Sequence, residues 1–116
     1  MNKVIDIELA MEQAAGNEQL AKELFQMLLT ELPGLLEKLQ SAVAALDNQS
    51  IWDHAHKIYG STAYCGVPAL RAVAQQLESD IKTQDMDAVK AQTGLLSTEI
   101  QRLLDNGMEL LERPWA

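Results

Sequence analysis

Apolar residues recur every three to four positions along most of the chain, which is the spacing of one face of an α-helix. Polar breaks divide this pattern into a short segment starting near Ile7 and four longer ones. Asp6, Asn17 and Asp85 stand where their side chains can cap helix N termini. The pattern therefore predicts an all-α fold, an antiparallel up-down four-helix bundle with a short N-terminal helix packed on it.

Two interior positions leave the course of the chain open. Pro33 interrupts a pattern that otherwise runs from Asn17 to Leu46, because proline lacks an amide donor and crowds the preceding turn. We expect either a kinked helix or two nearly abutting helices there. The pair Asn106-Gly107 either ends the last helix or lies within it, and the tail over residues 113–116 is expected to fray.

The second of the four longer segments carries signals at both of its ends. Ser50 followed by Asp53 resembles an N-terminal capping box, so we expect the helix to start there. Gly66 suits the position just past a helix end, and Pro68 suits the first turn of the next helix. The sequence therefore predicts a helix from about Ser50 to about Gly66.

Composition and charge narrow the class of protein. The 116 residues carry a formal net charge of -8, and the nine lysines and arginines are scattered. Nucleic-acid binding is excluded on this basis, because it depends on clustered basic residues that displace counterions. Cys65, the only cysteine, has no partner for a disulfide and is expected to be a small core residue.

The chain also lacks the signals of membrane insertion and export. No apolar run approaches the ~20 residues of a membrane span, and residues 1–15 lack the basic and apolar regions of a signal peptide. We expect a single domain over residues 1–116 that is cytoplasmic, monomeric and without membrane contact of its own.

The stretch from Ala55 to Ser61 contains the candidate chemistry. At roughly 100° per residue, His56 lies about 120° from the centre of the buried stripe and beside Trp52. That stripe consists of Ile51, Ala55, Ile58, Thr62 and Cys65. Gly60 follows His56 by one turn and costs a helix about 0.5 to 1 kcal/mol relative to alanine, which indicates clearance for a partner's backbone. His54 points about 200° away from His56, so the two cannot ligate one metal ion.

The run Ala55-His56-Lys57-Ile58-Tyr59-Gly60-Ser61, followed by Gly66, Leu70 and Leu77-Glu78, resembles the signature of histidine-containing phosphotransfer (HPt) domains. The likeness covers nearly the whole chain and is greatest to the carboxy-terminal phosphotransfer domains of BarA-type hybrid sensor kinases. It implies a phosphorelay intermediate in two-component signal transduction. Its histidine would take a phosphoryl group from the aspartate of one receiver domain and pass it to the aspartate of a response regulator.

The same resemblance implies the partners and cofactors. Receiver domains would be the partners and would supply the Mg²⁺, while this domain needs no cofactor and has no ATP site of its own. The implied parent protein is a sensor histidine kinase, and the sequence leaves open whether the chain is free-standing or the cytoplasmic end of an inner-membrane kinase.

The resemblance also assigns roles to individual residues. His56 matches the phosphoacceptor, and a neutral imidazole is a competent nucleophile near neutral pH. Gly60 matches the glycine that lets the receiver approach. Glu78 matches a position whose side chain hydrogen-bonds the imidazole from the next helix, and Gln75 is the second candidate for that contact. Lys57 either brings positive charge toward the phosphoryl group or is an ordinary solvated lysine.

A rim of apolar residues around the histidine is a further prediction. Trp52, Leu9, Met11 and Ala63 are expected to form a surface on which a receiver packs, since interface cores favour aromatic residues and methionine. For Leu9 and Met11, an ordinary core or surface position is an equal alternative. Tyr59 departs from the family pattern, because many members carry lysine three residues after the histidine, which leaves open how far the domain itself stabilises phosphohistidine.

Two other functions are compatible with an acidic helical bundle, because a bundle by itself implies none. A non-catalytic adaptor would bind partners through its helix faces. A kinase fragment would hydrolyse ATP, but the sequence has no Gly-rich phosphate loop. Transfer of a phosphoryl group to His56 distinguishes the phosphorelay hypothesis from both.

Overall fold

The computed structural model describes residues 3–115, which form five helices joined by short turns. They are α1 (Ile7–Gln13), α2 (Glu18–Ala44), α3 (Asn48–Ser61), α4 (Pro68–Lys82) and α5 (Met86–Leu111). Each long helix packs against the next, α5 returns to α2, and α1 packs against α2. The predicted all-α four-helix bundle with a short N-terminal helix is confirmed. The domain limits of 1–116 stay a prediction, since residues 1, 2 and 116 lie outside the described residues.

The core lies between the four long helices and fixes how α3 faces solvent. The largest fully buried side chains are Phe25, Leu28, Leu32, Leu39, Ile51, Ile58, Val67, Leu70, Leu77, Leu96, Ile100 and Leu103. All five residues of the stripe predicted on α3 are buried. Burying one large apolar side chain contributes about 1.5 to 3 kcal/mol, so this stripe fixes the rotation of α3 about its axis. Among residues 3–115, no helix is both long and apolar enough to cross a membrane.

α2 continues through Pro33 as one helix, so of the two alternatives left open by the sequence the abutting helices do not occur. Proline removes the hydrogen bond to the Leu29 carbonyl, at a cost of about 3 kcal/mol or more. Leu32 and Leu35 on either side are buried and keep the helical period of the core-facing row. Packing of this row therefore outweighs the local cost of the proline.

α3 begins one turn earlier than predicted, because its N-cap is Asp47. The Asp47 carboxylate accepts hydrogen bonds from the Ser50 backbone amide at 3.2 Å and from the Ser50 hydroxyl at 3.0 Å. These hydrogen bonds lower the pKa of Asp47. The capping box predicted from Ser50 and Asp53 is wrong, since the Asp53 carboxylate accepts from the Gln49 side chain instead. The helix starts at the residue whose side chain first satisfies the free amides.

α3 also ends earlier than predicted, at Ser61 rather than near Gly66. The Ser61 hydroxyl donates to the Lys57 carbonyl at 2.9 Å, and the Thr62 hydroxyl donates to the Tyr59 carbonyl at 2.6 Å. These side chains satisfy carbonyls of the last turn, so the helix can end before the glycine.

Gly66 lies in the turn between α3 and α4 and ties that turn to α1. Its φ of +64° is the left-handed conformation that glycine favours, and a Cβ there would lie 2.5 Å from the Asp6 carbonyl oxygen. The Asp6 amide donates to the Gly66 carbonyl at 2.8 Å. The Gln13 side chain accepts from the Gly66 amide and donates to the Ala63 carbonyl. α1 is therefore hydrogen-bonded to the turn that follows the histidine helix.

α5 passes through Asn106-Gly107 and ends at Leu111. A Cβ on Gly107 would lie 2.6 Å from Leu29 Cδ1, so the glycine lets α5 approach α2 closely. Of the two possibilities left open by the sequence, passage through the pair is the one that occurs.

The tail after α5 is packed, so the expectation of fraying is wrong as far as Trp115. This side chain is 8% exposed, and its ring meets Phe25 edge to face at a centroid distance of 5.7 Å. The Trp115 indole donates to the Leu110 carbonyl at 2.8 Å, and Lys22 donates to the Arg113 carbonyl at 2.6 Å. Burial of a large aromatic ring with its N–H satisfied outweighs the tendency of a chain end to fray.

Candidate functional site

His56 stands on the face of α3 that points away from the core. Its side chain is 62% exposed, while Ala55 and Ile58 on the opposite face are fully buried. The register set by the buried stripe therefore presents the imidazole to solvent. The exposure expected from the apolar pattern is what the structure shows.

α4 holds one nitrogen of this imidazole. His56 Nδ1 lies 2.8 Å from Glu78 Oε1, and the Glu78 side chain is only 13% exposed. An ionised carboxylate only accepts hydrogen bonds, so we assign the proton to Nδ1, and in that neutral tautomer Nε2 keeps its lone pair. Gln75 lies one turn earlier on α4 and is exposed. The side chain in contact with the ring is thus Glu78.

The ring also stacks on an aromatic neighbour. The Trp52 and His56 rings are 5.4 Å apart between centroids, with 15° between their planes. Lys82 Nζ lies 5.4 Å from the Trp52 ring centroid. The sequence pattern places Trp52 beside His56 but gives no sign of Lys82, since nothing in the local pattern pairs residues thirty positions apart.

Gly60 leaves an open surface one turn after His56. It is exposed, and a Cβ built on it would meet nothing within 4 Å. A shallow groove begins at this glycine and is lined by Leu24, Met27, Leu28, Glu31, Ser61, Tyr64 and Cys65. Met27 is 57% exposed and Tyr64 is 63% exposed. Lys57 is exposed next to His56, and its role stays a prediction.

The apolar groove was not predicted from the sequence. Met27 is absent from the buried face of α2, which includes Phe25, Leu28 and Leu29. Its place outside that helical period is a signal in the sequence that it faces outward. Its neighbour Tyr64 comes from the turn after α3, and no helical period applies there. Their meeting beside Gly60 depends on how α2 and α3 pack.

The remaining members of the predicted rim lie on and near α1. Ala63 is half-buried, and its carbonyl accepts from Gln13 of α1. Met11 packs against the core, which was its alternative position, and Leu9 is half-buried. Trp52 lies one turn before His56, whereas Ala63 follows it by seven residues. A role in partner binding stays a prediction for Leu9, Met11 and Ala63.

Tyr59, which stands where many HPt domains carry lysine, is held by Arg71 of α4. The guanidinium carbon of Arg71 lies 4.2 Å from the Tyr59 ring centroid. One guanidinium nitrogen donates to the Tyr59 hydroxyl at 3.0 Å, and the other donates to the Thr62 hydroxyl at 3.1 Å. The chain therefore carries a cation near this position, supplied by a residue that sequence reasoning did not single out.

His54 and Cys65 are the remaining histidine and cysteine side chains of the chain. His54 lines a surface groove with Gly34 and Lys38 of α2, so it faces a different neighbour from His56. Cys65 is buried as predicted, and burial raises the pKa of its thiol to about 11. Among residues 3–115, no cluster of three or more His, Cys, Asp or Glu side chains could hold a metal ion.

The chain is similar to a known domain family and to parts of several histidine kinases. The family model described as Hpt domain matches residues 23–106. Sensor histidine kinase GacS of Pseudomonas protegens is 37% identical over 89 residues, which are 77% of this chain and 10% of that protein. Signal transduction histidine-protein kinase BarA of Shigella flexneri is 37% identical over 90 residues, 74% of this chain and 10% of that protein. The chain thus spans about a tenth of the length of these kinases.

Two further relatives extend the comparison. Phosphorelay intermediate protein rdeA of Dictyostelium discoideum is 23% identical over 101 residues, 87% of this chain and 40% of that protein. A solved structure of the HPT domain from the Hpt sensor hybrid histidine kinase of Shewanella matches with a TM-score of 0.87 at 29% identity. That match covers 97% of both chains. The chain belongs to the Hpt domain family, the phosphotransfer domains of two-component signal transduction.

Proposed function

We propose that His56 is the residue that carries the phosphoryl group, taking it from the aspartate of a receiver domain and giving it to the aspartate of a response regulator. The observation that supports this most directly is that the imidazole is exposed and, within residues 3–115, hydrogen-bonded through only one of its nitrogens. It is 62% exposed, and Glu78 holds Nδ1 at 2.8 Å. Nε2 is then the nitrogen with a lone pair available to a docked partner.

The transfer balances without any other reactant. The Nε2 lone pair attacks phosphorus of the aspartyl phosphate, a P–N bond forms, and the P–O bond to the receiver carboxyl breaks. The receiver carboxylate leaves with the electron pair, and the imidazole ring becomes positively charged. The proton stays bonded to Nδ1 and continues to donate its hydrogen bond to the Glu78 carboxylate. In the second transfer the carboxylate of the next receiver attacks phosphorus, the P–N bond breaks, and the neutral ring is restored.

In this reaction the domain mainly has to position the His56 nitrogen, and it needs to supply little of the charge that neutralises the phosphoryl oxygens. Phosphoryl transfer depends on in-line positioning and on neutralising the equatorial oxygens. The carboxylate beside the ring, Glu78, is engaged with Nδ1. We therefore assign the Mg²⁺ to the receiver and no cofactor to this chain. Lys57 follows His56 in sequence, is exposed, and is the lysine that α3 contains, so we propose it as a source of positive charge.

The proposed docking surface begins at Gly60. The open space over this glycine continues into the groove flanked by Met27 and Tyr64, and both side chains are more than half exposed. Exposed apolar side chains next to a reactive group are typical of a protein-binding surface. A receiver that covers Gly60 and this groove would bring its aspartate to the His56 ring.

The relatives support a proposal for the signalling system in which the chain acts. Sensor histidine kinases contain regions similar to this chain, and we propose that it acts as the phosphotransfer part of such a system. The expected location is the cytoplasm, where response regulators are found, and the expected state is a monomer.

A receiver domain charged with radiolabelled acetyl phosphate provides the test. Incubation should transfer label to the wild-type chain and not to His56→Gln. The chain contains two histidines, so His54→Gln is the matched control and should accept label at the wild-type rate. Label on His56→Gln would contradict the assignment of the phosphoacceptor. Failure of several charged receivers to label the wild-type chain would instead favour a non-catalytic adaptor.

A further inference from the structure

Four side chains, His56 among them, form a continuous series of contacts between α3 and α4. Trp52 and His56 are one helical turn apart on α3, and Glu78 and Lys82 are one turn apart on α4. Glu78 contacts His56, Lys82 lies over Trp52, and Trp52 stacks on His56. Side chains four residues apart share a helix face, so the two pairs meet across the α3–α4 interface.

The hydrogen bond to Glu78 cannot by itself fix the imidazole. One contact at Nδ1 leaves the ring able to tilt about that point, because terminal ring torsions of histidine have broad minima. The Trp52 ring, at 5.4 Å and 15° from parallel, restricts this tilt. Lys82 Nζ, at 5.4 Å from the indole centroid, favours the orientation in which Trp52 presents its ring face.

The stack also suits the charge that develops during transfer. Attack by Nε2 turns the neutral imidazole into a positively charged phosphoimidazole, and the π-face of an indole attracts a cation. The Glu78 carboxylate stabilises the same charge through the Nδ1 proton. The two contacts therefore act on the ring in different directions, one in its plane and one across its face.

We propose that Trp52 is a positioning residue for phosphoryl transfer, which holds the plane of the His56 ring so that Nε2 points along the line of attack. This inference rests on the proposed function of His56. It differs from the expectation that Trp52 is part of a surface on which the receiver packs. A positioning residue affects the rate inside the complex, whereas a packing residue affects how tightly the complex forms.

The experiment compares single-turnover transfer from a phosphorylated receiver, over a range of receiver concentrations, to the wild-type chain, Trp52→Leu and Trp52→Phe. Trp52→Leu should lower the maximal rate by about three- to tenfold, the range expected for loss of one aromatic stack. It should change the half-saturating receiver concentration by less than about twofold. Trp52→Phe keeps an aromatic face, so its maximal rate should stay within about twofold of that of the wild type.

A matched control comes from the groove. Tyr64→Leu removes an exposed aromatic ring that has no stacking contact with His56. As a residue of the proposed docking surface, Tyr64 should affect the half-saturating concentration more than the maximal rate. NMR of the His56 ring protons gives an independent readout, because their ring-current shift should disappear in Trp52→Leu and persist in Tyr64→Leu.

The outcomes separate the two hypotheses. A normal maximal rate in Trp52→Leu, or a lowered rate that Trp52→Phe does not restore, would overturn the positioning role while leaving His56 as the carrier. A change confined to the half-saturating concentration would make Trp52 a docking residue and would equally overturn it. Failure of the wild-type chain to accept label would refute the function of His56 itself.

Discussion

Adding a side chain at Gly60 should have two separate effects. A methyl group should stabilise the fold, and a larger side chain should weaken receiver binding. A Cβ on Gly60 meets nothing within 4 Å, and the residue has helical backbone near the end of α3. Alanine should therefore stabilise the folded domain by about 0.5 to 1 kcal/mol, the usual difference between glycine and alanine inside a helix. For a chain of this size the melting temperature should rise by about 2 to 6 °C.

α5 provides the matched control at Gly94. This glycine is also helical, and a Cβ on it also meets nothing within 4 Å. Gly94→Ala should stabilise the chain by a similar amount. Thermal unfolding followed by circular dichroism measures both changes. If a partner needs the space above Gly60, substitutions at the two glycines should have similar effects on stability. They should differ only in their effect on receiver binding.

Larger side chains bring out that difference. Gly60→Leu places a branched side chain over the site where the receiver backbone is expected to approach. It should raise the half-saturating receiver concentration at least about tenfold, equivalent to about 1.4 kcal/mol of lost binding. Gly94→Leu should leave it unchanged. Equal receiver affinity for the two leucine variants, with both folded, would refute the argument that Gly60 provides clearance.

Three further predictions concern the stability of the fold. Gly66→Ala should destabilise the domain by about 2 kcal/mol or more, because φ is +64° and the Cβ has no space, whereas Gly16→Ala, at φ +80° in open space, should cost only about 1 kcal/mol in urea unfolding. Trp115→Ala should lower the free energy of unfolding by about 3 to 5 kcal/mol in the same measurement, and Trp115→Phe should lower it clearly less. A loss below about 0.5 kcal/mol in Trp115→Ala would indicate that the tail is frayed. Burial raises the pKa of Cys65 from 9.0 to about 11, so the unfolded chain loses its thiol proton first. Stability from this group is complete below about pH 9 and falls as pH rises toward 11, and the loss should be absent in Cys65→Ala.

The features that the sequence predicted well depend on local periodicity. The buried stripe of α3 follows from residues three and four apart, and this spacing is enough to place His56 on the solvent-facing side of the helix. Caps at Asp6, Asn17 and Asp85 were predicted because each side chain acts on a backbone amide three residues away. Glu78 came from resemblance to a family, since its contact with His56 spans twenty-two residues.

The features that the sequence did not predict depend on distant partners. The tail is ordered because Trp115 finds Phe25 on α2, and no pattern near residue 115 contains that information. Lys82 is likewise defined by its position over Trp52, on another helix. α2 continues through Pro33 because the neighbouring core residues retain their burial, which local propensity does not take into account.

The hydrogen bond between Glu78 and Nδ1 has a consequence for detecting the phosphorylated form proposed for His56. Phosphohistidine exists as two positional isomers, named pros and tele after the ring nitrogen that is substituted. Since the pros nitrogen, Nδ1, is occupied by the carboxylate at 2.8 Å, only the tele isomer can form without breaking that contact. An isomer-selective antibody against tele-phosphohistidine should therefore recognise the loaded domain after denaturation, and its pros-selective counterpart should not.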